Sequence, residues 1–288
     1  MTAIIRRTLP VLLAAGMVFP VLAASSAKPA RFTVTAGDVT DRRRNDGHFA
    51  SLEIQLKLAG EGVEAVQGAR ALVRKAVDDT GRNLLQENMQ PPDFQKPTGE
   101  GVALKIDLKN PARRAGTLKE VSGQVELFLP ERDAASTVRV EKFLSRLDRP
   151  IPSPALKAAG AEVMVVSRKM YDEEKKKDAE RRKKESEGAG LAGAMAEAFG
   201  SLFSGMFGEI GENDLLIKVD DKNSKVFAIE AADAAGKKID QRGTMETSGF
   251  WILSYGEKLP PDATLKVYLM TPKALVSTPF ALKDVALP

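Results

Sequence analysis

The sequence predicts a mainly β protein built as two β-sandwich domains separated by a helical insert. Three observations carry this expectation. Segments of strict polar–apolar alternation recur in both halves, as in Ser51-Leu52-Glu53-Ile54-Gln55-Leu56-Lys57-Leu58, which is the pattern of a half-buried strand. Gly, Asp and Pro punctuate these segments at short intervals, as the turns of a sandwich require. Between the halves, residues 168–211 abandon the alternation for a charge run and then an apolar segment at helical spacing.

The chain opens with a segment that has the form of a cleavable secretory signal. Arg6 and Arg7 supply a positive start, Leu9 to Leu22 an apolar run broken by Pro10 and Pro20, and Val21-Leu22-Ala23 and Ser25-Ser26-Ala27 small residues for cleavage. We therefore expect residues 1–27 to be removed and the protein to be periplasmic or secreted. Thr8-Leu9-Pro10 fits a twin-arginine motif poorly, so general secretion is favoured. The chain has no Cys. Lipid attachment through a Cys is excluded, and an exported protein of this length must be held by core burial rather than disulfides. The formal charge is +4, and loss of Arg6 and Arg7 brings it nearer to neutral, which argues little for an anionic partner.

The first half, 28–167, is expected to hold strands at 31–35, 51–58, 69–77, 101–108, 123–130, 137–140 and 161–166. Arg42-Arg43-Arg44, beside Asp41 and Asp46, is expected in a solvated loop. His48 is the single His in the chain and stands without the partners a catalytic or metal site needs.

The insert, 168–211, has two parts. The charge run pairs Glu173 with Lys177, Asp178 with Arg182 and Glu180 with Lys184 at i,i+4 with the acid first, each pair contributing about 0.2–0.5 kcal/mol to a helix. With almost no apolar stripe it reads as a solvated helical or coiled-coil spacer. Its acids nearly balance its bases, so nucleic acid is not an expected partner. The second part places Leu191, Met195, Phe199, Leu202, Phe203, Met206, Phe207 and Ile210 on one helical face. Gly in a helix interior costs about 1 kcal/mol relative to Ala, so the Gly residues opposite make this helix dependent on a cover. Three covers are expected, in order: the protein's own β-domain; a partner helix or second copy, reached through the small-residue pairs Ala196/Gly200, Ser201/Gly205 and Ser204/Gly208; or a membrane surface. Glu197 speaks against a transmembrane span.

The second half, 212–288, is expected to form a smaller sandwich with strands at 215–219, 226–231, 249–255, 264–269 and 279–287. It also echoes the first half. Ala76-Val77-Asp78-Asp79-Thr80-Gly81-Arg82-Asn83-Leu84 matches Ala231-Ala232-Asp233-Ala234-Ala235-Gly236-Lys237-Lys238-Ile239 as Ala-x-Asp-x-x-Gly-basic-x-aliphatic. Thr117-Leu118-Lys119 and Thr264-Leu265-Lys266 introduce strands that run to Pro130 and Pro272. In layout the chain is similar to immunoglobulin-like and fibronectin-type sandwiches. That likeness rests on strand spacing alone, without a Cys-Trp-Cys signature, and implies no function.

No Cys nucleophile, Gly-x-Ser-x-Gly elbow or phosphate-binding Gly-rich loop is present. Asp220-Asp221-Lys222-Asn223 lacks the spacing and distal Glu of a calcium loop and is expected to be a polar hairpin turn. No catalytic, cofactor-binding or metal-ligating residue is expected. The reading is an exported, non-catalytic periplasmic or cell-envelope protein acting as an interaction or structural module. Its alternative is a peripheral membrane protein using 191–210, and its third choice a hydrolytic enzyme without a recognisable motif.

Overall fold

The computed structural model describes residues 32–43, 50–87, 90–97, 101–187, 210–247 and 249–288. The expected signal, His48 and seven of the eight residues of the apolar face (Leu191, Met195, Phe199, Leu202, Phe203, Met206 and Phe207) lie outside the described residues. The protein is mainly β. In chain order the strands are β1 (Phe32–Arg42), β2 (Ser51–Gly60), β3 (Gly68–Asp78), β4 (Val102–Leu108), β5 (Thr117–Phe128), β6 (Thr137–Glu141) and β7 (Arg149–Pro150). Helix α1 (Pro154–Ala159), β8 (Ala161–Val166) and helix α2 (Arg168–Glu187) come next. The remainder is β9 (Asp214–Asp221), β10 (Val226–Ala232), β11 (Gln241–Thr247), β12 (Phe250–Tyr255), β13 (Thr264–Leu269) and β14 (Leu275–Ala286).

These strands make two cores. In the first, a sheet of order β1-β2-β4 faces a sheet of order β14-β5-β3. The alternation predicts which side chains meet. Leu52, Ile54 and Leu56 of β2 and Leu104 and Leu108 of β4 are buried against Val121, Val125 and Leu127 of β5. Each such side chain contributes about 1.5–3 kcal/mol by leaving water. In the second core a sheet of order β10-β13-β6 faces a five-stranded sheet of order β11-β12-β9-β8-β7. Val163, Val165, Ile217 and Leu253 meet Ile229, Leu265 and Val267 there. All pairings between these strands are antiparallel.

The cores do not divide the chain at the expected boundaries, 28–167 and 212–288. Strand β6 pairs with β13 and β8 with β9, so residues 137–166 belong to the second core. Strand β14, expected as the last edge of the second half, pairs with β5 in the first. Alternation reports which face of a strand is buried; it carries no information on which strand lies alongside. For the same reason the turn at Asp220–Lys225 is not a hairpin. It is a corner between two sheets, closed by the Val226 amide donating to Asp221 Oδ2 at 2.6 Å. Described ion pairs within α2 stand at i,i+3, Lys177–Glu174 at 3.4 Å and Arg181–Asp178 at 2.9 Å; the Arg182 side chain, expected to pair with Asp178, lies outside the described residues.

The echoed turns adopt the same conformation. Gly81 and Gly236 have φ of +85° and +83°, a region open to Gly at little cost. In each turn the Gly amide donates to the Asp carbonyl, the Asp amide to the carbonyl of the basic residue, and the aliphatic amide back to Ala76 or Ala231. The basic residue's amide donates to the Asp carboxylate at 2.9 Å in both.

Candidate functional site

The five-stranded sheet has two apolar faces, and the second is the candidate site. Along β8, Val163 and Val165 enter the core, so Met164 and Val166 point the other way. Leu216 of β9 and Phe250 and Ile252 of β12 join them, by the same period of two. All five are buried. An exposed sheet face would be polar at these positions, so this one is built to carry a cover.

The described part of that cover is the base of α2. Ser167 caps the helix, its Oγ accepting from the Met170 amide at 3.2 Å. Its own amide donates to Asp148 Oδ1 at 2.6 Å, which ties the helix start to the turn before β7. Tyr171 then drops onto the sheet, 1% exposed, its ring 5.0 Å from that of Phe250 at 81°. This is the edge-to-face arrangement aromatic rings prefer. One turn on, Glu174 meets Lys218 of β9 at 3.0 Å. Hydrogen bonding to Lys218, with the positive charges of Lys218 and Lys177, holds the Glu174 carboxyl below its ordinary value. Arg168 reaches sideways and donates to the carbonyls of Ile210 and Gly211 at 2.8 and 2.7 Å. Ile210, the one residue of the expected apolar face that is described, packs on the same patch beside Met170 and Met245.

Beyond this base the helix stands clear. From Lys175 onward no described side chain of α2 is buried. A helix of this length rises about 30 Å, and the expectation of a polar, solvated body holds for its described residues. Both ends of the 168–211 segment are thus anchored on one apolar sheet face, through Tyr171 and through Ile210. Among the described residues no helix is long and apolar enough to cross a membrane.

No group of three His, Asp or Glu side chains converges for a metal among the described residues. Buried Glu230 is paired with Lys238. Burial pushes Tyr255 and Tyr268 up to about 12, and for both the Glu230 charge adds to the shift. An open hollow of about 300 Å³ lies where β6 approaches β7, with Val140, Phe143, Ile151 and Val165 among its walls and Arg146 and Arg149 at its rim. It offers apolar contact and two guanidinium groups but no nucleophile, acid or base. No family model, curated protein or solved structure matches the chain.

Sequence reasoning placed the interaction surface on the residues of 191–210 and missed the apolar sheet face on which Ile210 packs. The signal was present. In Ala161-Glu162-Val163-Met164-Val165-Val166 and Asp214-Leu215-Leu216-Ile217 the alternation fails into continuous apolar runs, which is how strands buried on both faces read.

Proposed function

We propose that this is an exported, non-catalytic periplasmic or cell-envelope protein that acts as an interaction or structural module through residues 168–211. The observation that carries this reading is the mounting of α2. Only its first turns are docked, on an apolar sheet face, and a charged rod extends from them into solvent. Such a rod adds little to the stability of the sandwich beneath it, since exposed ion pairs contribute about 0–1 kcal/mol each. Its role is to present the adjoining face of Leu191, Met195, Phe199, Leu202, Phe203, Met206, Phe207 and Ile210 to a partner. In this reading the segment is a helical insert, the sandwiches are immunoglobulin-like in plan, and the partner is a protein or a second copy. Binding to a membrane surface through 191–210 is the alternative. Hydrolysis is the third choice, which the lack of a recognisable catalytic motif in the sequence does not favour.

Two measurements test this. N-terminal sequencing of the mature protein should start between Ala24 and Lys28; a product retaining Met1 would refute export. For the surface, Phe199 and Phe203 are replaced together by Asp, which puts charges into any apolar contact they make. A protein or second-copy interface predicts loss of a complex or dimer by light scattering with the β-structure retained. Loss of liposome flotation instead would shift the reading to the membrane alternative, and no change in either assay would end the interaction proposal.

A further inference from the structure

Both sandwiches have one six-strand plan. In the first, β1, β2 and β4 form one sheet, and β3, β5 and a closing strand form the other. In the second, β8, β9 and β12 form one sheet, and β10, β13 and a closing strand form the other, with β7 and β11 added at the edges of the former. The correspondence extends to detail. β3 and β10 both run into the Asp–Gly turn with the same hydrogen bonds. β5 and β13 both end shortly before a proline that opens a 3-10 turn, Pro130–Arg132 and Pro272–Ala274. The first turn leads on to a closing strand, β6, and the second to another, β14.

A closing strand of this kind returns most directly beside the strand that precedes it. Neither does. β6 leaves β5 and pairs with β13, Val138 opposite Val267 and Val140 opposite Leu265. β14 leaves β13 and pairs with β5, Thr278 opposite Val125 and Phe280 opposite Gly123. We infer that the chain is a tandem duplication whose two copies have exchanged their closing strands, so that each sandwich is completed by the other repeat. The edges of β5 and β13 that β14 and β6 occupy are therefore strand-accepting sites. Their ligand is an extended segment with inward apolar residues at every second position, held by main-chain hydrogen bonds.

The crossing point is built for this. The Leu129 amide donates to the Ala274 carbonyl at 2.8 Å, joining one connector to the other. Thr271 Oγ1 donates to Asp133 Oδ2 at 2.7 Å. Ser136, fully buried, donates to the Leu269 carbonyl at 2.7 Å and lies 2.8 Å from Thr271 Oγ1. Beside this node Phe227 of β10 packs on Phe128 of β5, ring centroids 4.8 Å apart. It leaves Gly68 no room for a side chain: a Cβ there would come within 2.5 Å of the Phe227 ring. The connectors and the two repeats thus meet in one packed junction, and within a single chain the short connectors keep each closing strand at high effective concentration beside its acceptor.

The chain has no Cys, so paired Cys substitutions report strand neighbours without background. Ser122→Cys with Ala281→Cys joins β5 to β14, and Arg139→Cys with Lys266→Cys joins β6 to β13; both are cross-strand partners at a separation that suits a disulfide. The unexchanged arrangement, with Pro272 matched to Pro130, would instead close Gln124→Cys with Arg139→Cys, or Ala281→Cys with Thr264→Cys. Under mild oxidation of the full chain the first two pairs should close within monomers and the last two stay reduced. Closure of the last two pairs, or covalent dimers from the first two, would overturn exchange within the chain. A second variant keeps the test independent of cross-linking. Leu282→Asp, at a buried site on β14, should lower amide protection in β3 and β5 by about tenfold or more, at least as much as in β10 and β13. Loss confined to β10 and β13 would overturn the inference.

Discussion

The turn after β3 and the turn after β10 share their backbone and differ in what their side chains do. Asp233 is partly exposed and its carboxylate accepts from Lys237 alone among the described residues. Asp78, at the matching position, is fully buried. It accepts from the Thr80 amide and hydroxyl at 3.0 and 2.7 Å, from the Arg82 amide at 2.9 Å, and from the Ala112 amide at 2.9 Å across the sheet gap. Thr80 is replaced by Ala235 in the second turn, which has no hydroxyl to give. Asp79 adds a second tie, accepting from the Gly116 and Thr117 amides at 3.0 and 3.1 Å, while Ala234 in its place has no side-chain acceptor. The lesson is that Asp and Gly at fixed spacing are enough to shape the turn, whereas two added polar residues turn it into the point where the turn after β3 and the connection from β4 to β5 are tied together.

Removing the tie should therefore cost far more in the first turn than in the second. Asp78→Ala leaves three part-buried amides without their acceptor and should destabilise by about 3 kcal/mol, against about 1 kcal/mol for Asp233→Ala. Denaturant midpoints of the two variants decide this, and equal losses would break the contrast.

The same contrast appears in pH. Burial alone would raise the Asp78 carboxyl, but hydrogen bonds from Ala112, Thr80 and Arg82 override it and hold the group below its ordinary value of 3.8. Its stabilising contribution is whole above about pH 4 and is lost as pH falls through the lower folded value. Tyr255 and Tyr268 sit in the second sandwich, both pushed up to about 12 chiefly by burial. Their contribution is whole below about pH 10 and is lost as pH rises from about 10 to about 12. Amide exchange should show β3 and β4 loosening first in acid and β10 and β13 first in alkali. The reverse order would contradict this placement of charge.

Where the turns agree, the variants should agree. Gly81→Ala and Gly236→Ala each place a side chain at positive φ with open space around it, so each should cost about 1 kcal/mol, and equally; thermal unfolding of the pair checks it. Smallest of all, Glu174→Gln loses a partly exposed ion pair with Lys218 and should shift stability by less than about 1 kcal/mol. A larger loss would mean that α2 is bound to the sheet by charge rather than by Tyr171.

Much of this architecture was legible because it is local. Strand positions came from alternation, and the shared turn from Asp and Gly at matching offsets. Helix α1 was equally legible and was missed. Ser153 caps it through the Leu156 amide, Pro154 opens it, and Gly160 ends it at φ +71°. Strand β11 was not legible, because Gln241-Arg242-Gly243-Thr244-Met245-Glu246-Thr247 has no apolar alternation and gains its order from β12. The partners of β6 and β14 were not legible either. Val138 and Phe280 would bury as well against β5 as against β13 on pattern alone, and only the packed connectors decide between them. Of the candidate surface, Ile210 could be placed by its spacing, but the apolar sheet face on which it rests is assembled from three strands distant in sequence.

The central claim is that two sandwiches of one plan form a single body. Trp251, the only Trp of the chain, packs at the margin of the second core. Its fluorescence, monitored through denaturant alongside amide exchange of β3 and β5 in the first core, reads both sandwiches in the intact protein. Because each is closed by the other's strand, the account predicts one transition with coincident midpoints and a slope in proportion to the whole surface exposed. Two transitions, with Trp251 losing its native signal while β3 and β5 remain protected, would contradict it.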